Sequence, residues 1–156
     1  MSEAKQPSFS IEKIYVKDLS LEIPGAPQVY MQPEQQPQLE MQLEQRSQRI
    51  NEVLYEVALV ITVTAKSGDK VLFLVEASQA GVFQIHNVAD ADLAPILGIV
   101  CPNVLFPYAR ETVSDVVNRA GFPPVLLAPV NFEALHQQRV AQAASQAGGP
   151  SIEIAH

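Results

Sequence analysis

Apolar and polar residues alternate through much of the first 80 positions and then give way to apolar spacings of three and four, so the chain reads as strands followed by helices. Over residues 9–23 the alternation changes phase. Phe9 and Ile11 are apolar at odd positions, Ile14 and Val16 at even ones, and Leu19 and Leu21 at odd ones again. A bulged or twisted strand serving two surfaces accounts for this. With Leu19 and Leu21 facing inward, Asp18, Ser20 and Glu22 face outward, and Asp18 and Glu22 stand roughly 13 Å apart at about 3.3 Å per residue. Residues 24–37 hold four prolines and a glycine, which excludes a central strand or a helix interior. They read as a long loop carrying Val29, Tyr30 and Met31, either a plain crossover between non-adjacent strands or a functional segment.

Residues 39–44 alternate cleanly, Leu39, Met41 and Leu43 against Glu40, Gln42 and Glu44, as a short half-solvated strand, and residues 45–52 are a polar connection. Val53, Tyr55, Val57, Leu59, Ile61 and Val63 mark a central strand over residues 53–65. Residues 66–69 predict a hairpin turn, and residues 70–78 return antiparallel with Val71, Phe73, Val75 and Ala77 on one face and Leu72, Leu74 and Glu76 on the other. Apolar residues on both faces suggest that the second face meets another subunit or a partner. Val82, Phe83 and Ile85 read as extended, and residues 90–97 as one short helix closed by Gly98.

The main helix is expected to open near Pro107, because proline suits a first helical turn, and to stop at Gly121. Ala109, Val113, Val116, Val117 and Ala120 fall on one stripe of it. Residues 122–129 form an apolar, proline-studded loop, and Asn131 caps a last helix from Phe132 to about Ala144. Flexible ends are expected over residues 1–8 and 145–156.

A chain of 156 residues suits a single domain, residues 1–156, able to bury roughly 70% of its unfolded surface. The net charge of −7 argues against a nucleic-acid or anionic-membrane partner and favours a basic one. Cys101 is the lone cysteine, so neither an intrachain disulfide framework nor a multi-cysteine zinc site is expected, and a reducing compartment is. No apolar run follows Lys5, and no segment approaches the roughly 18 apolar residues of a membrane helix, so a cytoplasmic protein is expected.

Catalytic chemistry is not expected. His86, His136 and His156 stand alone, and no zinc-binding H-E-x-x-H, phosphate-binding P-loop or G-x-S-x-G elbow occurs. Cys101, before a proline at the foot of an apolar run, reads as a small buried hydrophobe.

Four strings in order, YVKDLSLEIPGAP from Tyr15, FLVE from Phe73, CPNVLFPYARE from Cys101 and APVNF from Ala128, resemble the SecB family of protein-export chaperones. The resemblance implies an α+β fold, a four-stranded antiparallel sheet with two main helices on one face, assembled as a dimer of dimers. It implies an ATP-independent cytoplasmic chaperone, with no cofactor, metal or catalysis, that keeps unfolded precursor proteins translocation-competent and delivers them to the SecA motor ATPase. The family's acidic outer sheet face, which docks the basic, zinc-carrying C-terminal segment of SecA, matches Asp18, Glu22, Leu74 and Glu76. Its client grooves match the proline-rich crossover loop and the loop between the helices, here Val29, Tyr30, Met31, Phe122, Val125, Leu126 and Leu127. Val75, Ala77 and Gln79 match positions facing the oligomer core. With Val113, Val116 and Val117 of the helix stripe they make the expected homotetramer interface. One departure is the lack of any tryptophan, since many members carry one shortly before the proline matching Pro37, where Gln35 or Gln36 stands here. The rivals are a SecB-like holdase serving another client, such as an antitoxin, and a small-molecule enzyme with the proline-rich loop as a lid.

Overall fold

A computed structural model describes residues 6–33 and 36–147. Strands β1 (Ser8–Glu22), β2 (Gln38–Arg49), β3 (Leu54–Ser67) and β4 (Lys70–His86) precede helices α1 (Asp90–Pro95), α2 (Cys101–Arg119) and α3 (Phe132–Ala147). The sheet is antiparallel throughout, in the order β1-β4-β3-β2. Consecutive strands β1 and β2 are therefore its two edges, and the proline-rich loop crosses the end of the sheet, with one 3-10 turn at Gln28–Met31. A fold of four antiparallel strands and two main helices agrees with the expected α+β class.

The phase changes along β1 have a cause in the register. Pairing with β4 slips between Ile11 and Lys13 and again between Val16 and Asp18. Each bulge inserts one residue and so restores the apolar set to the same face. The inner side of β1 thus carries Phe9, Ile11, Ile14, Val16, Leu19 and Leu21. The β3–β4 hairpin closes through Gly68 and Asp69, with Gly68 at φ +62°, the left-handed geometry a tight hairpin needs.

Two strands run longer than expected. β2 includes the polar residues 45–49, because Gln45 to Arg49 pair with Leu59 to Tyr55; an edge strand takes its hydrogen bonds from one neighbour, and the side chains of residues 46–49 stay in water. β4 runs unbroken through Gln79, Ala80 and Gly81. A Cβ on Gly81 would lie 3.1 Å from Leu105, so the glycine marks a close approach of α2 to the sheet and is not a strand end.

The helices also differ from expectation. Gly98 does not close the first helix, and Pro107 does not open the main one. A π turn at Ile96–Val100 joins α1 to α2. In it the Cys101 N–H donates to the Ile96 carbonyl, five residues back. Pro102, which has no N–H, follows at once, so the widened turn takes up the proline where an α register would clash. Gly98 is explained by packing, since a Cβ there would come within 2.7 Å of His136 Nδ1 on α3. Joined in this way, Asp90–Arg119 is 30 residues long and apolar enough to cross a membrane by length and composition. This corrects the expectation that no segment approached that size. Its apolar stripe is spent on the sheet: Cys101, Leu105, Ala109, Val113 and Val117 are buried against Leu59, Ile61, Val63, Val75, Ala77 and Phe83.

Asn131 caps α3 as expected, its side-chain oxygen accepting from the Ala134 N–H at 2.9 Å. The helix runs to Ala147, past the expected end at 144, and Ser8 is already paired with His86. The remainder of the two expected flexible ends, residues 1–5 and 148–156, lies outside the described residues.

Candidate docking face and client groove

The face of the sheet turned away from the helices is laid out by register. Asp18, Ser20 and Glu22 of β1 stand opposite Ser78, Glu76 and Leu74 of β4, which stand opposite Val60, Thr62 and Thr64 of β3. Directly paired residues point to the same side, so Asp18, Glu22, Leu74 and Glu76 share one patch across the β1–β4 pair. Among the described residues Asp18 and Glu22 make no ion pair, and Glu76 accepts a long hydrogen bond from the Thr62 hydroxyl at 3.4 Å. Leu74, half-buried, stands opposite Glu22 at one end of the patch, and Glu76 occupies its middle row.

Most bases on this face pair with acids outside the patch, although the charge of Glu76 also acts on Arg46. Arg46 lies 2.8 Å from Glu44, and Lys66 lies 3.7 Å from Glu40. Lys17, the inserted residue of the second bulge, reaches Glu56 at 2.7 Å, and the Tyr15 hydroxyl donates to the other oxygen of that carboxylate. Burial, then the hydrogen bond to Glu56 and its charge, push the Tyr15 phenol up to about 12. Hydrogen bonds from Lys17 and then Tyr15 hold the Glu56 carboxyl below its ordinary value against a smaller effect of burial.

The two loops assigned to client binding meet at the end of α2. Tyr30 of the crossover loop donates to the Ala120 carbonyl at 2.5 Å and lies 5.5 Å from the Phe122 ring, which lies 5.0 Å from Phe73 on the sheet. An orphan helix-end carbonyl is thereby satisfied, and Gly121 at φ +92° makes the turn beneath the tyrosine. Val29 is buried, whereas Met31 is 83% exposed. In the second loop Val125 and Leu127 are buried and Leu126, between them, is 79% exposed. Arg110 holds that loop down by donating to the Leu127 carbonyl at 3.1 Å while its guanidinium stacks over Phe106. Sequence reasoning missed Leu39 and Met41, which are exposed apolar residues on the inner side of edge strand β2, in the same rows as Phe73 and Val75. Their clean alternation is the available signal, which predicts a half-solvated strand and does not say what their face meets.

The residues expected at an oligomer interface are mostly enclosed by the chain itself. Val75, Ala77, Val113 and Val117 are fully buried between α2 and the sheet, and Val116 is half-buried. Gln79 accepts from the Thr112 hydroxyl at 2.8 Å and donates to the Tyr15 carbonyl at 3.3 Å, tying α2 to the bulged stretch of β1. One α2 already covers these positions, so they leave little apolar surface free on a single chain. Spare surface lies instead on the inner side of β1, where Phe9, Ile11, Val16, Leu19 and Leu21 all stay exposed.

Burial pushes the Cys101 thiol up to about 12, so it is not a thiolate near neutrality. Among the described residues no group of three or more His, Cys, Asp or Glu side chains could hold a metal. A cavity of about 230 Å³ between β2, the π turn and α3 is lined by Gln45, Arg46, Ser47, Ala94, Leu97, Gly98 and Arg139, without a carboxylate, imidazole or thiol.

A family model described as preprotein translocase subunit SecB matches residues 2–143. A protein-export protein SecB of Chromobacterium violaceum is 62% identical over 146 residues, covering 92% of this chain and 97% of its own. One from Nitrosospira multiformis is 59% identical over 151 residues, covering 97% and 94%. Among solved structures, a Mycobacterium tuberculosis SecB-like chaperone in complex with a peptide from the HigA1 antitoxin has a TM-score of 0.66 at 18% identity, covering 78% of this chain and 90% of that one.

Proposed function

The chain belongs to the SecB family of preprotein-export chaperones, and we propose that it binds unfolded precursor proteins, keeps them translocation-competent and hands them to the SecA motor ATPase. The observation that carries the hand-over is the pairing of β1 with β4, which supports a single patch of Asp18, Glu22, Leu74 and Glu76. Such a patch suits a small basic module: Leu74 gives burial, and the carboxylates give orientation and a salt-sensitive on-rate. The meeting of Tyr30 and Phe122, with Met31 and Leu126 projecting beside them, supports a groove for extended apolar segments. Clients are proposed to bind there through Tyr30, Met31, Phe122 and Leu126, with Leu39 and Met41 added, on a floor set by the buried Val29, Val125 and Leu127.

SecB proteins are not an enzyme family, and the buried, protonated Cys101 fits a binding protein. We place the chain in the cytoplasm as a homotetramer, one domain per copy, the exposed inner side of β1 being the surface a second copy would cover. An antitoxin holdase, the role suggested by the distant structural relative, is disfavoured by 59–62% identity to proteins named for export. Reversal of Asp18 and Glu76 to lysine is expected to abolish binding of the SecA C-terminal segment in titration calorimetry while client holding is kept; undiminished affinity removes this face from the account.

A further inference from the structure

Charge on the outer face is sorted. Glu40 and Glu44 of β2 are occupied by Lys66 and Arg46, and Glu56 at the start of β3 is occupied by Lys17, while Asp18 and Glu22 on β1 stay uncompensated among the described residues. Lys13 also faces this side, but it stands opposite Val82, beyond the second bulge from the acids. Lys17 is the base that could undo the sorting. It adjoins Asp18, and the bulge between Val16 and Asp18 turns it onto the same face as that carboxylate. Its side chain is 50% exposed on a flexible stem, so no packing fixes where its ammonium rests. Glu56 is better held. Its side chain is 15% exposed, and its second oxygen accepts from Tyr15, whose row across the sheet holds the small residues Ala80 and Ala58.

We infer that Glu56 is a positioning residue for the acidic docking face, holding Lys17 away from Asp18 so that Asp18 and Glu22 meet a basic partner uncompensated. This rests on the reading of that face as the motor-docking surface. Released from Glu56, the ammonium can turn to the adjoining Asp18 carboxylate on the same face, and the pair so formed would cancel one of the charges that orient the partner.

The test is calorimetric titration of the zinc-loaded basic SecA C-terminal peptide into the assembled full-length protein at two salt concentrations. Glu56→Gln keeps the shape of the side chain and its acceptor for Tyr15 while removing the charge that holds Lys17. It is expected to weaken binding about two- to fivefold, the range of one half-exposed charge pair, and to flatten the salt dependence. The double variant Glu56→Gln/Lys17→Met has the parent's net charge and is expected to recover the parent's affinity, which a merely structural role for Glu56 would not allow. Parent-like binding by Glu56→Gln, or a double variant as weak as the single, overturns the inference. The reversal of Asp18 and Glu76 is run alongside. If it abolishes binding while Glu56→Gln does nothing, the positioning role fails and the docking face stands; if it changes nothing, both fail.

Discussion

Tyr30 shows why a groove residue is a poor probe of the groove. Its hydroxyl caps the end of α2 through the Ala120 carbonyl and its ring packs on Phe122, so a charged replacement would loosen the helix end together with any client contact. Tyr30→Phe isolates the cap, and a loss of about 1 kcal/mol in chemical denaturation is expected, the usual worth of one hydrogen bond. Leu126 is the cleaner groove probe, being exposed between two buried neighbours. Leu126→Asp should leave the melting curve unchanged and weaken holding of an unfolded client roughly tenfold or more, since burying a leucine contributes about 1.5–3 kcal/mol; unchanged holding would count against the groove. The Tyr15–Glu56 contact ties stability to pH in two windows. The folded state raises Tyr15 from 10.0 to about 12, so its contribution is whole below pH 10 and fades as pH climbs to about 12. Glu56 is lowered from 4.5, so its contribution is present above that value and is lost as pH falls through its folded value. Tyr15→Phe should lose less stability than the parent between pH 10 and 12 in urea titrations.

At the scale of elements, the glycine in the π turn sets how closely α3 can dock. Gly98→Ala would place a methyl 2.7 Å from His136 and is expected to destabilise by about 1–3 kcal/mol, despite alanine's better helix propensity. Removing the imidazole in Gly98→Ala/His136→Ala should return most of that loss, and thermal melting of both variants decides it. The same glycine explains a misreading. From sequence, Gly98 followed by Pro102 and Pro107 reads as a stop and a fresh start, because local preference is all that a lone chain displays. The π register that accommodates Pro102 and the histidine that fills the space over Gly98 are tertiary facts. β1 is the opposite case. Its two phase slips are written in the positions of Ile14 and Val16 against those of Phe9 and Leu19, so both bulges, and with them the outward set of Asp18 and Glu22, were legible. Which strand lay beside β1 was not, and the patch with Leu74 and Glu76 needed that neighbour. The polar half of β2 was illegible for a different reason, since an edge strand in water needs no apolar pattern.

For the whole molecule, the apolar inner side of β1 argues for assembly, and four copies at −7 each would carry roughly −28. Mass measured in solution is expected to be four times the 17.0 kDa of one chain, and a stable monomer at micromolar concentration would contradict it. Replacing Val16 and Leu19 with aspartate should split the assembly while each chain keeps its sheet, because both residues stay exposed in a single copy. The strand order also has a consequence in time. β2, β3 and β4 follow one another as a meander, each pairing with the strand just made, but β1 pairs only with β4, which begins at Lys70. On a ribosome the first strand emerges with no partner and must wait until β4 has been made, at about 5–20 residues per second. The chain is itself an unfinished client during those seconds, exposing the stripe of Phe9, Ile11 and Val16 that would mark another protein for capture. Loop closure over that distance is costly, so the β3–β4 hairpin should show φ-values near one and β1 values near zero in refolding kinetics.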